Sequence, residues 1–117
     1  MPFRDLRSWL YDIAEAIEDI EDFTLGMDFE SFKGDPKTVA AVERKIARIG
    51  EAAVRLDDDG PALCPELPWS DIRGIGNWLR HQYDRVDLGI IWKTIETQLP
   101  PLKASVSRAL ADNPDID

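Results

Sequence analysis

The sequence has little of what several common functions require: one cysteine, one histidine and only 14 lysines and arginines against 23 acidic residues. With Cys64 alone, an intramolecular disulfide is excluded and a cysteine metal site is disfavoured, so we expect a reducing, cytoplasmic environment. The net charge of −9 disfavours extended binding to nucleic-acid duplexes. No apolar run approaches the ~20 residues that span a bilayer, and the charged N-terminus predicts no signal peptide.

Charge is distributed unevenly along the 117 residues. Residues 12–30 contain eight carboxylates and no basic side chain, whereas basic residues gather at 44–55 and again at 73–85. A local basic patch on an acidic protein can still hold a single phosphate. The acidic run at residues 57–59 is interpreted as a solvated helix end, and we expect neither a metal ion nor a cofactor.

Apolar residues recur at helical spacing in four segments, and no segment alternates as a β-strand does. The third segment begins near Trp69 or Ser70, and the fourth follows Asp87. We predict an all-α fold, a compact up-and-down bundle of four or five helices, in one domain at residues 1–112 with a frayed tail at 113–117. The apolar positions of the four segments are, in order, Leu6, Leu10, Ile13, Ile17 and Ile20; Val39, Val42, Ile46, Ile49, Ala53 and Leu56; Ile72, Ile75, Leu79 and Val86; and Leu88, Ile91, Ile95, Leu99, Leu102, Val106 and Leu110.

Glycine and proline mark the predicted ends of these helices. Gly26 and the FESFKGDP stretch close the first helix, and Asp35 followed by Pro36 is predicted to cap and begin the second. The aspartate run closes the second helix, and Pro61 and the prolines after it are expected to keep the next segment non-helical. Two adjacent prolines at 100–101 predict a break within the last helical region.

The only histidine, His81, lies in the segment PWSDIRGIGNWLRHQYDRVD, which is rich in arginine and tryptophan. On a helical wheel His81 falls opposite the apolar stripe, with Arg73, Asn77 and Arg80 within about 100° of it. An imidazole moves protons near neutral pH, and an arginine binds phosphate bidentately. The segment therefore predicts a phosphoryl-transfer site without a metal, the alternative being a surface histidine with no chemical role.

Several blocks of the sequence have the order and spacing of one known family. They are YDIAEAIEDIEDFT in the first helix, IGEAAVRL in the second, CPELPWSDIRGIGN leading into the third, and HQYDRVDLGIIWKTIETQLPPLK after it. Through these blocks the chain resembles the HepT-like toxins, compact all-α proteins of the HEPN ribonuclease superfamily, nearly from end to end. The resemblance implies a homodimer of HEPN-like bundles, with residues 73–85 at or near the interface, and RNA as the substrate.

The family's functional motif is an arginine, usually followed by asparagine, and then a histidine and a tyrosine separated by one residue. In this sequence the matching positions are Asn77, His81 and Tyr83, while Gly76 occupies the arginine position. The resemblance implies a metal-independent endoribonuclease site shared between two protomers. In that site His81 is the general acid/base and Asn77 orients the site.

Gly76 leaves more than one interpretation open. Arg80, one turn after Gly76, or Arg73, nearly one turn before it, could supply the missing guanidinium and restore catalysis. Otherwise the protein is a catalytically impaired binding subunit that keeps the fold, dimerises and docks a nucleotidyltransferase. A small residue at this position also suits a close helix crossing at a dimer seam. A third and weaker alternative is a stand-alone helical interaction protein.

Tyr83 has a second implied role. HepT-like proteins are encoded beside a minimal nucleotidyltransferase of the MntA type, which neutralises the toxin by transferring AMP to the motif tyrosine. The resemblance therefore predicts a prokaryotic toxin–antitoxin pair in which AMP on Tyr83 blocks the access of phosphate to His81. From the residue pattern alone, packing of Tyr83 beside the apolar stripe is the alternative.

Overall fold

A computed structural model describes the backbone of residues 5–81 and 87–115 and the side chains of residues 5–75 and 87–115. Within these ranges the protein has seven helices and no β-strand, which confirms the predicted all-α fold. Five of these helices have ten or more residues, and the two that the sequence did not predict have five each. The helices are α1 (Leu6–Phe23), α2 (Phe29–Lys33), α3 (Pro36–Leu56), α4 (Asp59–Leu63), α5 (Trp69–His81), α6 (Leu88–Thr97) and α7 (Leu99–Asp112).

Helices α1 and α3 form the centre of the bundle, because each buries an apolar stripe. Four stripe residues of α1 are fully buried, and all six predicted for α3 are buried. Burying one such leucine, isoleucine or valine contributes roughly 1.5–3 kcal/mol. Helix α3 also packs along α5, and α1 packs along α7. Helix α6 packs against both α7 and α2. The buried stripe residues are Leu10, Ile13, Ile17 and Ile20 on α1 and Val39, Val42, Ile46, Ile49, Ala53 and Leu56 on α3.

The predicted start of α3 is confirmed. Asp35 is the N-cap, its carboxylate accepts a hydrogen bond from the backbone N–H of Thr38 at 3.1 Å, and Pro36 is the first helical residue. This hydrogen bond lowers the pKa of Asp35 below the ordinary aspartate value. The cap of α3 is therefore strongest while Asp35 is ionised, and it weakens as the pH falls through that lowered pKa.

The FESFKGDP stretch, predicted to be a break, contains a short helix of its own. Helix α2 follows Asp28, whose carboxylate accepts from the backbone N–H of Ser31 at 2.8 Å, while the Asp28 N–H donates to the Ser31 hydroxyl at 3.0 Å. This reciprocal capping box is a signal for a helix start that apolar periodicity does not register. Phe32 on α2 is fully buried, and its ring centroid lies 5.1 Å from that of Trp92.

Two of the proline-based predictions also need correction. Pro61 does not keep the segment after it non-helical, because it lies in the first turn of α4, where a missing N–H breaks no helical hydrogen bond. The non-helical loop is shorter than predicted and covers residues 64–68. The break in the last helical region exists but lies at Gln98, since Pro100 and Pro101 are accommodated in the first turn of α7.

The first and last helices are tied together by Arg7. Its guanidinium donates to the backbone carbonyls of Leu110 at 3.0 Å and of Asn113 at 3.2 Å. A cation at a helix C-terminus is favourable because the last carbonyls carry partial negative charge. Asn113, the first residue of the predicted tail, is the C-cap of α7. Among the helices described, none has both the length and the apolar character that crossing a bilayer demands.

Candidate active site on helix α5

Helix α5 carries the candidate residues, and its first turn is fixed by Trp69. The indole is only 5% exposed, and its Nε1 donates to the backbone carbonyl of Cys64 at 2.8 Å. The ring lies so close to Gly60 of α4 that a Cβ on this glycine would be 3.0 Å from a ring carbon. The position of the base of α5 is therefore set by α4 and by the loop between the two helices.

Arg73, one of the two arginines predicted to bind phosphate, caps the C-terminal end of α3. Its Nε donates to the carbonyl of Ala53 at 3.4 Å, and a terminal guanidinium nitrogen donates to the carbonyl of Asp57. Asp57 is the C-cap of α3 and has a φ of 51°, the one positive φ at a non-glycine residue in the described part of the chain. Arg73 therefore joins α5 to α3, and this contact occupies two of its five N–H donors.

Helix α5 runs antiparallel to α3. Arg73 lies beside Ala53, and Ile75, further along α5, lines a cavity with Ile49, which comes earlier on α3. The eight residues from Arg73 to the end of α5 advance about 12 Å at 1.5 Å per residue. The end of α5 therefore lies at about the level of residues 45–49 of α3, by the same rise per residue.

The remaining candidates are placed by their backbone or not at all. Asn77 and His81 occupy positions one helical turn apart on α5, and Arg80 belongs to the same turn as His81. The side chains of residues 76–81 lie outside the described residues, as does Tyr83 in its entirety. The roles of these four residues stay predictions. Arg73 is the one predicted site residue whose contacts are described, and these contacts are with the end of α3.

The side of α3 that faces solvent is mainly basic, although it includes exposed Glu51 as well as exposed Lys37. Arg44, Arg48 and Arg55 are exposed, and their spacing of four and seven residues places them on one face of the helix. Helix α3 contains five basic and two acidic residues, whereas α1 beside it contains one basic and six acidic residues. From the sequence alone, residues 44–55 are recognised only as a segment rich in basic residues. The arrangement of its arginines on one solvent-exposed face follows from the fold.

A cavity of about 490 Å³ lies between α5 and the α6–α7 pair, with mainly apolar walls that include Ile49 and Ile72. On its rim the carboxylate of Glu66 accepts hydrogen bonds from the Ser105 hydroxyl and the Arg108 guanidinium. The bond from Ser105, together with the nearby charge of Arg108, lowers the pKa of Glu66. This cluster fastens the loop before α5 to α7, so its evident contribution is structural.

The described residues do not support a metal site or a reactive thiol. Within residues 5–75 and 87–115, no three His, Cys, Asp or Glu side chains are grouped as a metal site requires. Cys64 is 1% exposed, and burial raises the pKa of its thiol. A buried thiol with a raised pKa is a poor nucleophile.

Comparison with known protein families identifies the one to which the chain belongs. Residues 13–109 match the family described as Ribonuclease HepT-like. Because this match covers most of the 117 residues, the chain belongs to the HepT-like ribonuclease family.

Relatives extend the similarity over nearly the whole chain. The "Probable ribonuclease HepT" of Thermococcus cleftensis is 41% identical over 105 residues, which cover 90% of this chain and 96% of that protein. Two proteins of Methanocaldococcus jannaschii have names that give RNase as an inferred activity. One is 39% identical over 100 residues, covering 86% of this chain and 83% of the relative. The other is 34% identical over 112 residues, covering 96% and 93%. No solved structure matches the chain significantly.

Proposed function

We propose that the protein is a metal-independent endoribonuclease and the toxin of a cytoplasmic toxin–antitoxin pair. The family match over residues 13–109 is the observation that carries this proposal. The backbone of α5 supports it, since Asn77 and His81 are one turn apart on a helix whose base is fixed by Trp69 and Arg73. A general acid/base must be held in position to be effective, and a well-anchored helix meets that requirement.

In the proposed reaction the 2′-hydroxyl of RNA attacks the adjacent phosphorus, and the 5′-oxygen of the next nucleotide leaves. One imidazole takes the proton of the 2′-hydroxyl and another protonates the leaving oxygen, giving a 2′,3′-cyclic phosphate and a 5′-hydroxyl. His81 is the only histidine of the chain, so two imidazoles require two protomers. The proposed mechanism therefore includes a homodimer with a shared site, in which Asn77 orients the reacting groups and Arg80 binds phosphate.

The purified chain is expected to cleave single-stranded RNA in the presence of EDTA, near the pH at which imidazoles ordinarily titrate. Denaturing electrophoresis detects the cleavage, and mass spectrometry identifies the cyclic phosphate ends. A His81→Ala preparation made in parallel separates the activity of the chain from that of contaminating nucleases. Cleavage that depends on added Mg²⁺, or no cleavage by the folded chain, contradicts the proposal.

The proposal includes regulation by a nucleotidyltransferase of the MntA type, which moves AMP from ATP to Tyr83. The phenol oxygen attacks the α-phosphorus of ATP, pyrophosphate leaves, and the phenol proton passes to solvent. The product carries a bulky anionic group two residues from His81. A negative charge there repels RNA phosphates, so the modified chain is expected to be inactive.

Co-expression with the partner nucleotidyltransferase is expected to raise the intact mass of the chain by whole AMP units. The chain supplies a control, because its only other tyrosine, Tyr11, is 58% exposed and therefore accessible to a non-selective transferase. The mass increase should persist in Tyr11→Phe and disappear in Tyr83→Phe. An increase that survives in Tyr83→Phe, or none in the wild type, rejects this mode of regulation.

A second function, a catalytically impaired subunit that dimerises and docks a nucleotidyltransferase, is favoured by one observation. Gly76 stands where the family motif has arginine, and Arg73, a possible replacement, is engaged at the end of α3. The substitution Gly76→Arg separates the two functions. If the wild type is inactive and Gly76→Arg cleaves RNA, the wild type lacks only the guanidinium. If the wild type itself cleaves RNA, the impaired subunit is excluded.

A further inference from the structure

We infer that the cavity between α5 and the α6–α7 pair binds a guanine base, whose hydrogen-bonding edge is recognised by Glu66 and Arg108 at the rim. The binding can be measured without RNA cleavage, so the inference is independent of the proposed nuclease function. Three observations lead to it: the size of the cavity, the apolar character of its walls, and the hydrogen-bonding groups on its rim.

The cavity exists because α5 and α7 pack on different helices. Helix α5 packs along α3, whereas α7 packs along α1 and against α6. The space between them measures about 490 Å³, within the range of about 300–1,000 Å³ that is usual for small-molecule sites. A neighbouring cavity of about 380 Å³, further along α5, shares Asp71, Ile75, Thr94 and Gln98 with it. A base in the first cavity therefore has room beside it for its ribose.

The walls of the cavity suit a flat, uncharged ring. Ile72 and Ile75 line it from α5, and Leu99 and Leu102 line it from α7. Ile49 of α3 contributes a further apolar side chain. All of these except Ile75 are buried. Proteins commonly hold an unpaired nucleobase between apolar side chains, because the faces of the base are poorly hydrated. The walls favour a base as the ligand, and the rim decides which base.

The rim supplies a carboxylate that is already held in place. The hydroxyl of Ser105, a residue only 4% exposed, and the guanidinium of Arg108 both donate to Oε2 of Glu66. A carboxylate has about four lone-pair sites, so these two bonds leave Glu66 able to accept more. The bond from Ser105 is the main cause of the lowered pKa of Glu66, which keeps the carboxylate ionised at neutral pH. A ligand with N–H donors therefore meets a charged acceptor that is oriented before binding.

Guanine is the base whose Watson–Crick edge fits this rim. Its N1–H and N2–H donors lie side by side, so one carboxylate can accept both, and the adjacent O6 can accept from a guanidinium. Glu66 and Arg108 offer these groups next to each other. Adenine and cytosine each present one donor group on this edge, and uracil presents one N–H between two carbonyl oxygens. A neutral base also avoids the repulsion that the net charge of −9 imposes on phosphates.

Guanosine, which carries no phosphate, is the probe for the base alone. Titration of the wild-type chain, followed by NMR of isotope-labelled isoleucine methyl groups, should shift the signals of Ile49, Ile72 and Ile75. Guanosine is expected to bind about 10-fold or more tightly than inosine, which lacks only the 2-amino group, because one hydrogen bond to a charged acceptor is lost. No binding, equal affinity for the two nucleosides, or shifts confined to isoleucines outside the cavity would overturn the inference.

Variants test the rim and the cavity separately. Glu66→Gln should weaken guanosine binding about 10-fold or more, because an amide has one acceptor oxygen and no charge. The control is Glu96→Gln, the same change at an exposed glutamate of α6 outside the cavity, which should stay within about twofold. Because Glu66 also fastens the loop before α5 to α7, urea unfolding is used to establish that the variant is folded.

Ala104→Phe is a second test that leaves the Glu66 cluster intact. Ala104 is exposed and lines the cavity, so a phenyl ring at this position should fill the space and abolish guanosine binding. If Ala104→Phe still binds guanosine as the wild type does, the base is not in this cavity. If folded Glu66→Gln behaves like Glu96→Gln, Glu66 does not recognise the base, and the inference fails.

The guanine base has two sources, a free guanine nucleotide and an RNA strand. Guanosine 5′-monophosphate is compared, in a His81→Ala background, with two short RNAs, one of uracil alone and one with a single guanine among uracils. If the source is RNA, the guanine-containing strand binds more tightly than the other two ligands, and Ala104→Phe removes the difference. If the source is a free nucleotide, the monophosphate binds and the two RNAs do not differ. Either result supports the inference, and a wild type that binds guanosine but cleaves no RNA contradicts only the proposed nuclease function.

Discussion

RNA cleavage is expected to fall by about 10²- to 10⁴-fold when His81 is replaced by alanine. The imidazole is the only one in the chain, and no other type of side chain ordinarily titrates between pH 5 and 8. Cys64 cannot take its place, because it is buried and the pKa of its thiol is raised. The loss should appear in kcat, with RNA affinity changed by about twofold or less, since His81 is assigned proton transfer and Arg80 is assigned phosphate binding.

A single-turnover assay over pH 5–8 measures this effect directly. If one imidazole of the dimer acts as base and the other as acid, the wild-type rate passes through a maximum, and the maximum should be lost in His81→Ala. The comparison variant is Lys45→Met, which removes a surface ion pair of α3 and should keep both the rate and the position of the maximum. A variant lacking His81 that retains both the rate and the pH profile of the wild type would assign the chemistry to another group.

The free energy of unfolding is expected to fall by about 3–5 kcal/mol in Phe32→Ala, the largest stability effect that we anticipate for one side chain. Phe32 is fully buried, and its ring packs against that of Trp92 on α6. Helix α2 has only five residues, too few to be stable without tertiary contacts. Removing the ring therefore leaves a cavity and also detaches α2 from α3 and α6, the helices on which it packs.

Urea unfolding followed by tryptophan fluorescence gives this free-energy difference, and the chain has four tryptophans to report it. Phe23→Ala is the control, because Phe23 is 39% exposed at the end of α1 and its removal should cost about 1 kcal/mol or less. Equal and small losses in the two variants would mean that α2 does not dock through Phe32.

The long helices could be predicted from the sequence because their apolar stripes extend over many turns. The stripe of α3 from Val39 to Leu56 repeats five times, and Asp35 with Pro36 supplies an unambiguous start. The short helices have no such repeat. Helix α2 is indicated only by the capping pair of Asp28 and Ser31, and α4 is obscured by Pro61, which the first turn of a helix tolerates.

The candidate site, too, could be predicted from the sequence only in part. The segment around His81 could be selected from composition, because a single imidazole among arginines is conspicuous in so acidic a chain. The contacts of Arg73 could not, since they depend on where α3 ends relative to α5, a tertiary relation absent from local pattern. The same holds for Arg48, whose pairing with Asp12 joins residues 36 positions apart in the sequence.

The unequal charges of α1 and α3 also act beyond contact distance. Six carboxylates on one helix and three exposed arginines on its neighbour give this side of the molecule an electric dipole, although the chain as a whole is negative. At physiological salt such a field extends about 8 Å before it is screened. An anion that approaches the molecule is repelled by most of the surface and is attracted, if anywhere on this side, to α3. The rate of encounter then becomes the quantity most sensitive to ionic strength, more than the geometry of the bound complex.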